Sequence, residues 1–557
     1  MSGFVAEHNL PFTIMDHLPQ LLRKICPDSK IAAEIQCSRT KTQAIIENVI
    51  GQESFEKVCE DLRLLKFSLI VDESTDRSTI KHLCLVVRYF KNNTIRDNFL
   101  ALIPLSSANA TTLFQLIDNF FETHEIPYKL NMIGFASDGA NVMMGHQHSV
   151  MTLLKLEIPN LFIMKCICHT FHLCASYACE KLPRFVEDFV RDVYNYFSSS
   201  PKRTAEYREF QTFCHIKINK ILHPSQTRWL SVHAAVKRVL EQYSALKLFF
   251  IDASQNNDIL AADNILQKIN DPVTKLFLEF LDFILPIFNN LNKEMQAEYP
   301  RIHVLYSEIT QTLKTIFGCF LKRTYITSIP IEDIDLKNPR NFLDLKDIYY
   351  GALVSNTLLD ANEEITNDQI HLFRIRCLDF FIESCRQITE RFALKNNILK
   401  DFRAFYPAVV KTGEIMSIVP ICRAFPNLIA ISDLQTIDTE WRLLSNVDFE
   451  HLSEKSDLFW ESISNMEYGD GSKMFPFLTK FVFHIFTLPH SSANVERIFS
   501  SVNLLKTNQR NRLSSKSIEG LLHCKRHIDK NTCYDFDVEK NMLSIMSKKH
   551  WYDKEKD

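Results

Sequence analysis

An α/β core joined to a long all-helical stretch (α/β + α) is the fold class the sequence predicts, and three observations carry it. Three apolar runs, KFSLIVD (66–72), HLCLVVRYF (82–90) and FLALIPL (99–105), follow one another at gaps short enough for antiparallel hairpins. Two further strand-like runs then alternate with helical patterns. From about residue 169 to 488 nearly every segment repeats at helical spacing. The order reads β-β-β-α-β-α-β: three antiparallel strands, then crossovers through helices to two more.

Size and composition suit this class. A chain of 557 residues exceeds what one hydrophobic core organises, so several units are expected. Apolar residues at 46%, with 42 Phe and only 11 Gly, describe a globular, helix-rich protein. No stretch approaches the roughly 18 uninterrupted apolar residues of a membrane span. The start, MSGFVAEHNLPFTIMDHL, lacks a cationic leader followed by an apolar run, so no secretory signal is expected. The 15 cysteines are scattered and never spaced CxxC, which favours a reducing compartment.

Along the chain, residues 1–62 form a region of short helices, including SRTKTQAIIENVIG with its helical apolar pattern. Residues 63–199 form the first part of the core. There TTLFQLIDNFFETHE sets Leu113, Leu116, Ile117, Phe120 and Phe121 on one stripe, NMIGFAS (131–137) is the fourth strand, a helix is expected around 147–156, and LFIMKCI (161–167) is the fifth strand. Residues 200–485, with segments such as VTKLFLEFLDFILPIFNNL, are expected to form a helical insertion broken near 201, 224, 300 and 328–341. Residues 486–530 read as two helices around a basic, Asn-rich turn, and 531–557 as a polar, frayed tail.

The chemistry centres on carboxylates. Asp72 ends the first strand, with Glu73 and Asp76 close behind, and Asp138 follows the fourth. In the expected order these two strands are neighbours, so Asp72 and Asp138 emerge at one sheet edge. Hard cations such as Mg²⁺ or Mn²⁺ take carboxylate oxygens, and two ions ~3.5–4 Å apart serve the attacking and leaving oxygens of a displacement. The ordinary alternative is that Asp72 and Asp138 are turn residues. Glu73 and Asp76 read as turn or capping residues. A third acid is wanted, and composition alone leaves many Glu candidates. In CICHTFHLC, Cys166, Cys168, His169 and His172 lie too close together along the chain to surround one tetrahedral ion, so no zinc is expected. Net charge is −3, yet residues 201–250 hold nine Lys/Arg against three acids, and 501–530 seven against two, while 431–470 hold ten acids against two bases. Local basic faces matter more to a phosphate backbone than the total does.

The set DESTD around Asp72, SDGAN around Asp138, KCICH (165–169), TRWLS (227–231) and PHSSANVERIFS (489–500) resembles the hAT superfamily of DNA transposases, in order, from about residue 60 to 530. The resemblance implies an RNase H-like catalytic core interrupted by a large helical insertion, and a DDE-type triad of Asp72, Asp138 and Glu496 binding two Mg²⁺ or Mn²⁺ ions. It matches Cys166 and His169 to a Cys-x-x-His pair near the active site, with His169 reaching a DNA phosphate. Arg228 and Trp229 would position the strand, Trp229 by stacking on an unpaired base; a core aromatic is the alternative for Trp229. The resemblance also implies homodimerisation through the C-terminal region, where Ile498, Phe499, Val502, Leu505, Leu513 and Leu521 offer apolar surface, or packing of that surface on its own core. Transposing members generally carry an N-terminal BED zinc finger, and no CxxC occurs in this sequence. Two functions are expected, both nuclear: metal-dependent DNA cleavage and transfer, or a domesticated, catalytically inactive protein acting through dimerisation and binding to nucleic acid or chromatin proteins.

Overall fold

The computed structural model describes residues 1–224, 229–255, 260–360, 364–392, 394–395, 397–449, 451–508, 510–528, 532–536 and 538–547. The chain divides into two compact units, one of residues 1–167, 296–303 and 404–557, the other of 168–295 and 304–403. The first unit carries the sheet. Helix α1 (Gly51–Leu64) leads into β1 (Phe67–Thr75), β2 (Lys81–Lys91) and β3 (Thr94–Leu105); α2 (Ala110–Thr123), β4 (Met132–Ser137), α3 (Val150–Glu157) and β5 (Phe162–Lys165) follow. The strand order is β3-β2-β1-β4-β5. β1, β2 and β3 pair antiparallel in sequence, while β4 joins β1 and β5 joins β4 in parallel. This is the expected β-β-β-α-β-α-β order, with β1 and β4 adjacent.

Local chemistry explains the turns and helix starts. Asn92 and Asn93 both adopt positive φ (50° and 57°), a two-residue turn whose twist suits a hairpin, so β3 begins at Thr94 rather than near 99. Asn109 caps α2 through its side chain, and Ser149 and Thr152 close a reciprocal capping box on α3. Asp72 does not end β1. The strand runs on to Thr75 because β2 continues to pair with it past the point where β4 stops.

Alternation along the strands gives the sheet two dissimilar faces. Leu69, Val71, Leu85, Val87 and Phe135 pack with α1, α2 and α3 in one apolar cluster. The other face carries Ser68, Arg88 and Gly134, paired in register, and the chain returns to it near the C-terminus. Helix α4 (Pro476–Phe486) stacks Phe483 on Phe90 of β2 at 4.0 Å. Pro489 then crosses Gly134 so closely that a Cβ there would lie 2.7 Å from the proline Cδ. Helix α5 (Ala493–Leu505) lies over β1 and β2, and α6 (Ser515–Ile528) covers β3 and α1. Glu519 of α6 accepts the Leu102 N–H at 2.7 Å, which blunts the open edge of β3. The α6 crossing is glycine on glycine. A Cβ on Gly51 would sit 3.0 Å from the Gly520 Cα, and one on Gly520 2.9 Å from the Glu47 Cα.

The second unit is helical among its described residues, apart from one isolated bridge between Leu321 and Phe342. Its long helices, Pro272–Met295, Leu305–Phe320 and Asn367–Arg391, interlock through phenylalanines. Phe280 meets Phe380 and Phe381 edge-on, and Phe381 stacks on Phe320. The division departs from the expected boundaries at both ends. Residues 168–199, expected in the core, belong to the helical unit, where Tyr196 packs on Phe250 and Asp192 pairs with Lys268. Residues 404–485, expected in the insertion, belong to the sheet-bearing unit. Trp460, fully buried, donates its indole N–H to the Phe405 carbonyl, and Phe405 meets Phe481 of α4. No described helix is long and apolar enough to cross a membrane.

Four histidines of the sheet unit are buried, His82 (1% exposed) among the strands and, beyond them, His303 (1%), His490 (0%) and His523 (4%). His490 accepts from Arg88 (Nη1 to Nδ1, 2.8 Å), and Arg88 is itself ion-paired with Asp97. Burial, then neighbouring arginines, push His303 and His523 down to about 3 and His490 well below its ordinary 6.5. These three are held neutral in the fold and regain ordinary values on unfolding. Their contribution to stability is therefore complete above about 6.5 and lost as pH falls below it, each costing up to ~1.4 kcal/mol per pH unit. The urea midpoint should drop steeply between pH 7 and pH 5, and His523→Phe should flatten that slope. A midpoint constant over this range would contradict the assignment.

Candidate active site

Parallel pairing of β1 with β4 places Ile70 opposite Ala136. Asp72 and Asp138 each lie two residues further on, so they share a row and a face of the sheet. Cys84 of β2 pairs with Asp72 on one side. On the other side the Cys166 N–H bonds to the Ser137 carbonyl at 2.8 Å, which carries Cys166, just past β5, into line beside Asp138. Each aspartate is braced locally. One oxygen of Asp72 accepts the Glu73 N–H at 2.8 Å, and one of Asp138 accepts the Ala140 N–H at 3.2 Å.

The third acid arrives from far along the chain. Ser492, the residue before α5, donates its backbone N–H to the Cys166 sulfur at 3.3 Å, so a buried thiol at the end of β5 pegs the start of α5. Glu496 sits in the first turn of that helix. Burial, then the charge of Asp138, push the Asp72 carboxyl up to about 7; Cys166 and Glu496 add to the rise, and the Glu73 N–H opposes it. Asp72, Asp138 and Glu496 are all half-buried. Asp72 thus lies within reach of the charges of both Asp138 and Glu496.

Hard oxygen donors with mutual repulsion are the donor set a divalent cation fits, because the cation relieves the conflict that raises Asp72. The three carboxylates do not have the single-ion spacing, with all ligand atoms within 4.8 Å of one another, that the described residues show at Glu7, His8 and Cys533. A pair of ions spreads its outer ligands more widely than one ion does.

His169 is half-buried on the first turn of the helix Ile167–Cys179 and belongs to the helical unit. Arg228 lies outside the described residues; so does the side chain of Trp229, which opens the helix Trp229–Glu241. In the C-terminal region Val502, Leu505 and Leu521 are buried in the chain's own core, and Ile498, Phe499 and Leu513 are half-buried. The expectation of bare apolar surface is corrected for the first three, because α5 and α6 spend those side chains on the sheet and on α1; Leu504 is the large apolar residue of α5 left exposed, at 63%.

Two roles escaped sequence reasoning. Cys166 serves as a peg for α5, and Asp76, read as a turn former, also forms a buried ion pair with Lys506 at 2.6 Å. Neither has a local signature, since each partner lies hundreds of residues away.

Comparison with known families gives two matches. Residues 20–148 match a ZMYM1/FAM200 RNase-like domain, a stretch that contains Asp72 and Asp138. Residues 457–528 match the C-terminal dimerisation region of the hAT family, a stretch that contains Glu496, α5 and α6.

In EDTA, Asp138→Asn should raise stability by about 1 kcal/mol, since it keeps the Ala140 cap and removes a like charge from beside Asp72. The same variant should lose the rise in melting temperature that Mn²⁺ gives the wild type. A lower melting temperature in EDTA would count against a repulsive cluster.

Proposed function

We propose that this hAT transposase-derived protein, transposase-like and equipped with a dimerisation region, cleaves and transfers DNA strands in a metal-dependent reaction, with Asp72, Asp138 and Glu496 as the metal-binding acids. The observation that carries the reading is that Asp72 on β1 feels the opposing charges of Asp138, just past β4, and of Glu496, on a helix more than four hundred residues away.

When bound, a pair of Mg²⁺ or Mn²⁺ ions supplies activation of the attacking oxygen and neutralisation of charge on the leaving one. The chain's part is placement. Asp72 stands on paired backbone, Asp138 directly follows β4, and Glu496 stands on a helix whose start is pegged at Cys166, so the donor geometry costs little reorganisation. Glu73 donates its N–H to Asp72, which favours the charged form that a cation requires.

The substrate in this reading is DNA, reached in the nucleus. Basic residues in 201–250 and 501–530 attract its backbone without sequence preference, an attraction that weakens steeply with salt. His169, Arg228 and Trp229 would position the strand, Trp229 by stacking, worth roughly 1–3 kcal/mol per base. A homodimer through the C-terminal region would present two such sites.

A second reading keeps the dimer and gives up cleavage: a domesticated nuclear protein that binds nucleic acid or chromatin proteins. The slight net acidity of the chain, −3, is the observation on its side.

Plasmid nicking in Mn²⁺ at low salt separates the two. The wild type should nick, and Asp72→Asn, Asp138→Asn and Glu496→Gln should each lower the rate by about 100-fold or more, the loss appropriate to several kcal/mol of charge stabilisation. A folded wild-type dimer, verified by sedimentation velocity, that leaves plasmid intact would transfer the assignment to the domesticated reading.

A further inference from the structure

The Asp76–Lys506 pair is buried more completely than any of the three acids: both side chains are 1% exposed, with the Lys506 ammonium 2.6 Å from Asp76 Oδ2. The other carboxylate oxygen of Asp76 accepts the Ser78 N–H at 2.7 Å and the Ile80 N–H at 3.1 Å, so Asp76 closes the turn that follows β1. Lys506 is the first residue beyond α5, its N–H bonded to the Val502 carbonyl at 2.8 Å. Two neutral contacts flank the pair: Ser78 Oγ donates to the Asn511 carbonyl at 2.8 Å, and His82 Nε2 meets Ser515 Oγ at 3.0 Å. The tip of the β1–β2 hairpin is thereby fastened to the segment joining α5 and α6.

We infer that Asp76 and Lys506 are a positioning pair that sets the register of α5, and with it the placement of Glu496 against Asp72; the inference rests on the functional reading above.

Geometry makes the pair a ruler. Asp76 lies four residues beyond Asp72, one past the end of β1, about 13 Å at 3.3 Å per residue. Lys506 lies ten residues beyond Glu496 along a helix, about 15 Å at 1.5 Å per residue. Two stiff arms of similar length are joined at the ion pair, and their free ends carry the two carboxylates. The far end of α5 is pegged separately, where Ser492 donates to Cys166.

Energetics make the register nearly unique. If α5 slid by one turn, ~5.4 Å, both charges would remain buried and lose each other. Apolar contacts along α5 tolerate such sliding far better, because they are not directional. Burial pushes the Asp76 carboxyl up, and Lys506 with the Ile80 and Ser78 N–H groups more than reverses this, leaving it below its ordinary value. Setting register is also the best-attested use of buried ionic groups, which contribute little net stability.

The test uses the full chain and the double variant Asp76→Asn/Lys506→Met, which keeps the turn-closing oxygen and removes both charges. It should melt within a few degrees of the wild type. Amide exchange in 497–505 should nevertheless rise at least tenfold, and the Mn²⁺ concentration for half-maximal nicking at least tenfold. Lys506→Arg, which keeps the charge, should stay within threefold on both measures. The inference is overturned if the double variant shows wild-type exchange in α5 and a wild-type Mn²⁺ requirement. If the double variant does not fold, the Arg variant decides: a tenfold increase in α5 exchange while charge is kept rejects the pair as a ruler. Should the wild type not nick at all, the functional reading fails by itself, and exchange in α5 still passes or rejects the register claim.

Discussion

The parallel pairing of β1 with β4 is the constraint on which the site depends. Because Ile70 and Ala136 face each other, the two aspartates that follow have no freedom to stand apart. β5, added on the far side of β4, brings Cys166 into the same row, and Cys166 receives the chain returning from more than three hundred residues away. One row across a sheet thus collects groups from three strands and a helix. A slip of a single residue between β1 and β4 would turn the row to the opposite face and dismantle it.

That row is built against electrostatics. Asp72 sits where burial and two other acids all favour its protonated form. The fold tolerates the conflict because its stability comes from elsewhere: the apolar cluster beneath the sheet, the stacked Phe90 and Phe483, the buried Trp460. Two buried ionic groupings flank the row. Arg88 with Asp97 and His490 holds the chain ahead of α5, and Asp76 with Lys506 holds its end. Asp72 is therefore strained in charge and secured in position.

How much of this was legible in the sequence follows from the range of each interaction. Strands announce themselves through runs such as FSLIVD and NMIGFAS, and short gaps dictate antiparallel neighbours, so the strand order and the adjacency of Asp72 and Asp138 were readable. Glu496 was reached only through the resemblance carried by ANVERIF, because no local pattern separates it from other helical glutamates. The Asn92–Asn93 turn is a local signal that starts β3 at Thr94, five residues ahead of the apolar run at 99–105. The allegiance of residues 404–485 was beyond reach, since a helix packed on a sheet and a helix packed in a bundle present the same apolar stripe. Asp76 belongs to the same class. A residue suited to closing a turn conceals a second duty when its partner lies 430 residues away.

The crossing of Gly51 and Gly520 brings two backbones within side-chain distance of each other. Such a seat recognises the shape of a helix and is indifferent to which polypeptide delivers it. The helix α6 of a second copy, offered on a suitably extended connection, would bury the same Ile518, Leu521 and Leu522 and meet the same bare glycine. Monomer and exchanged pair would then be near-isoenergetic at the seat itself. The balance between them would be set by protein concentration and by the connection between α5 and α6, leaving the contacts at the seat unchanged.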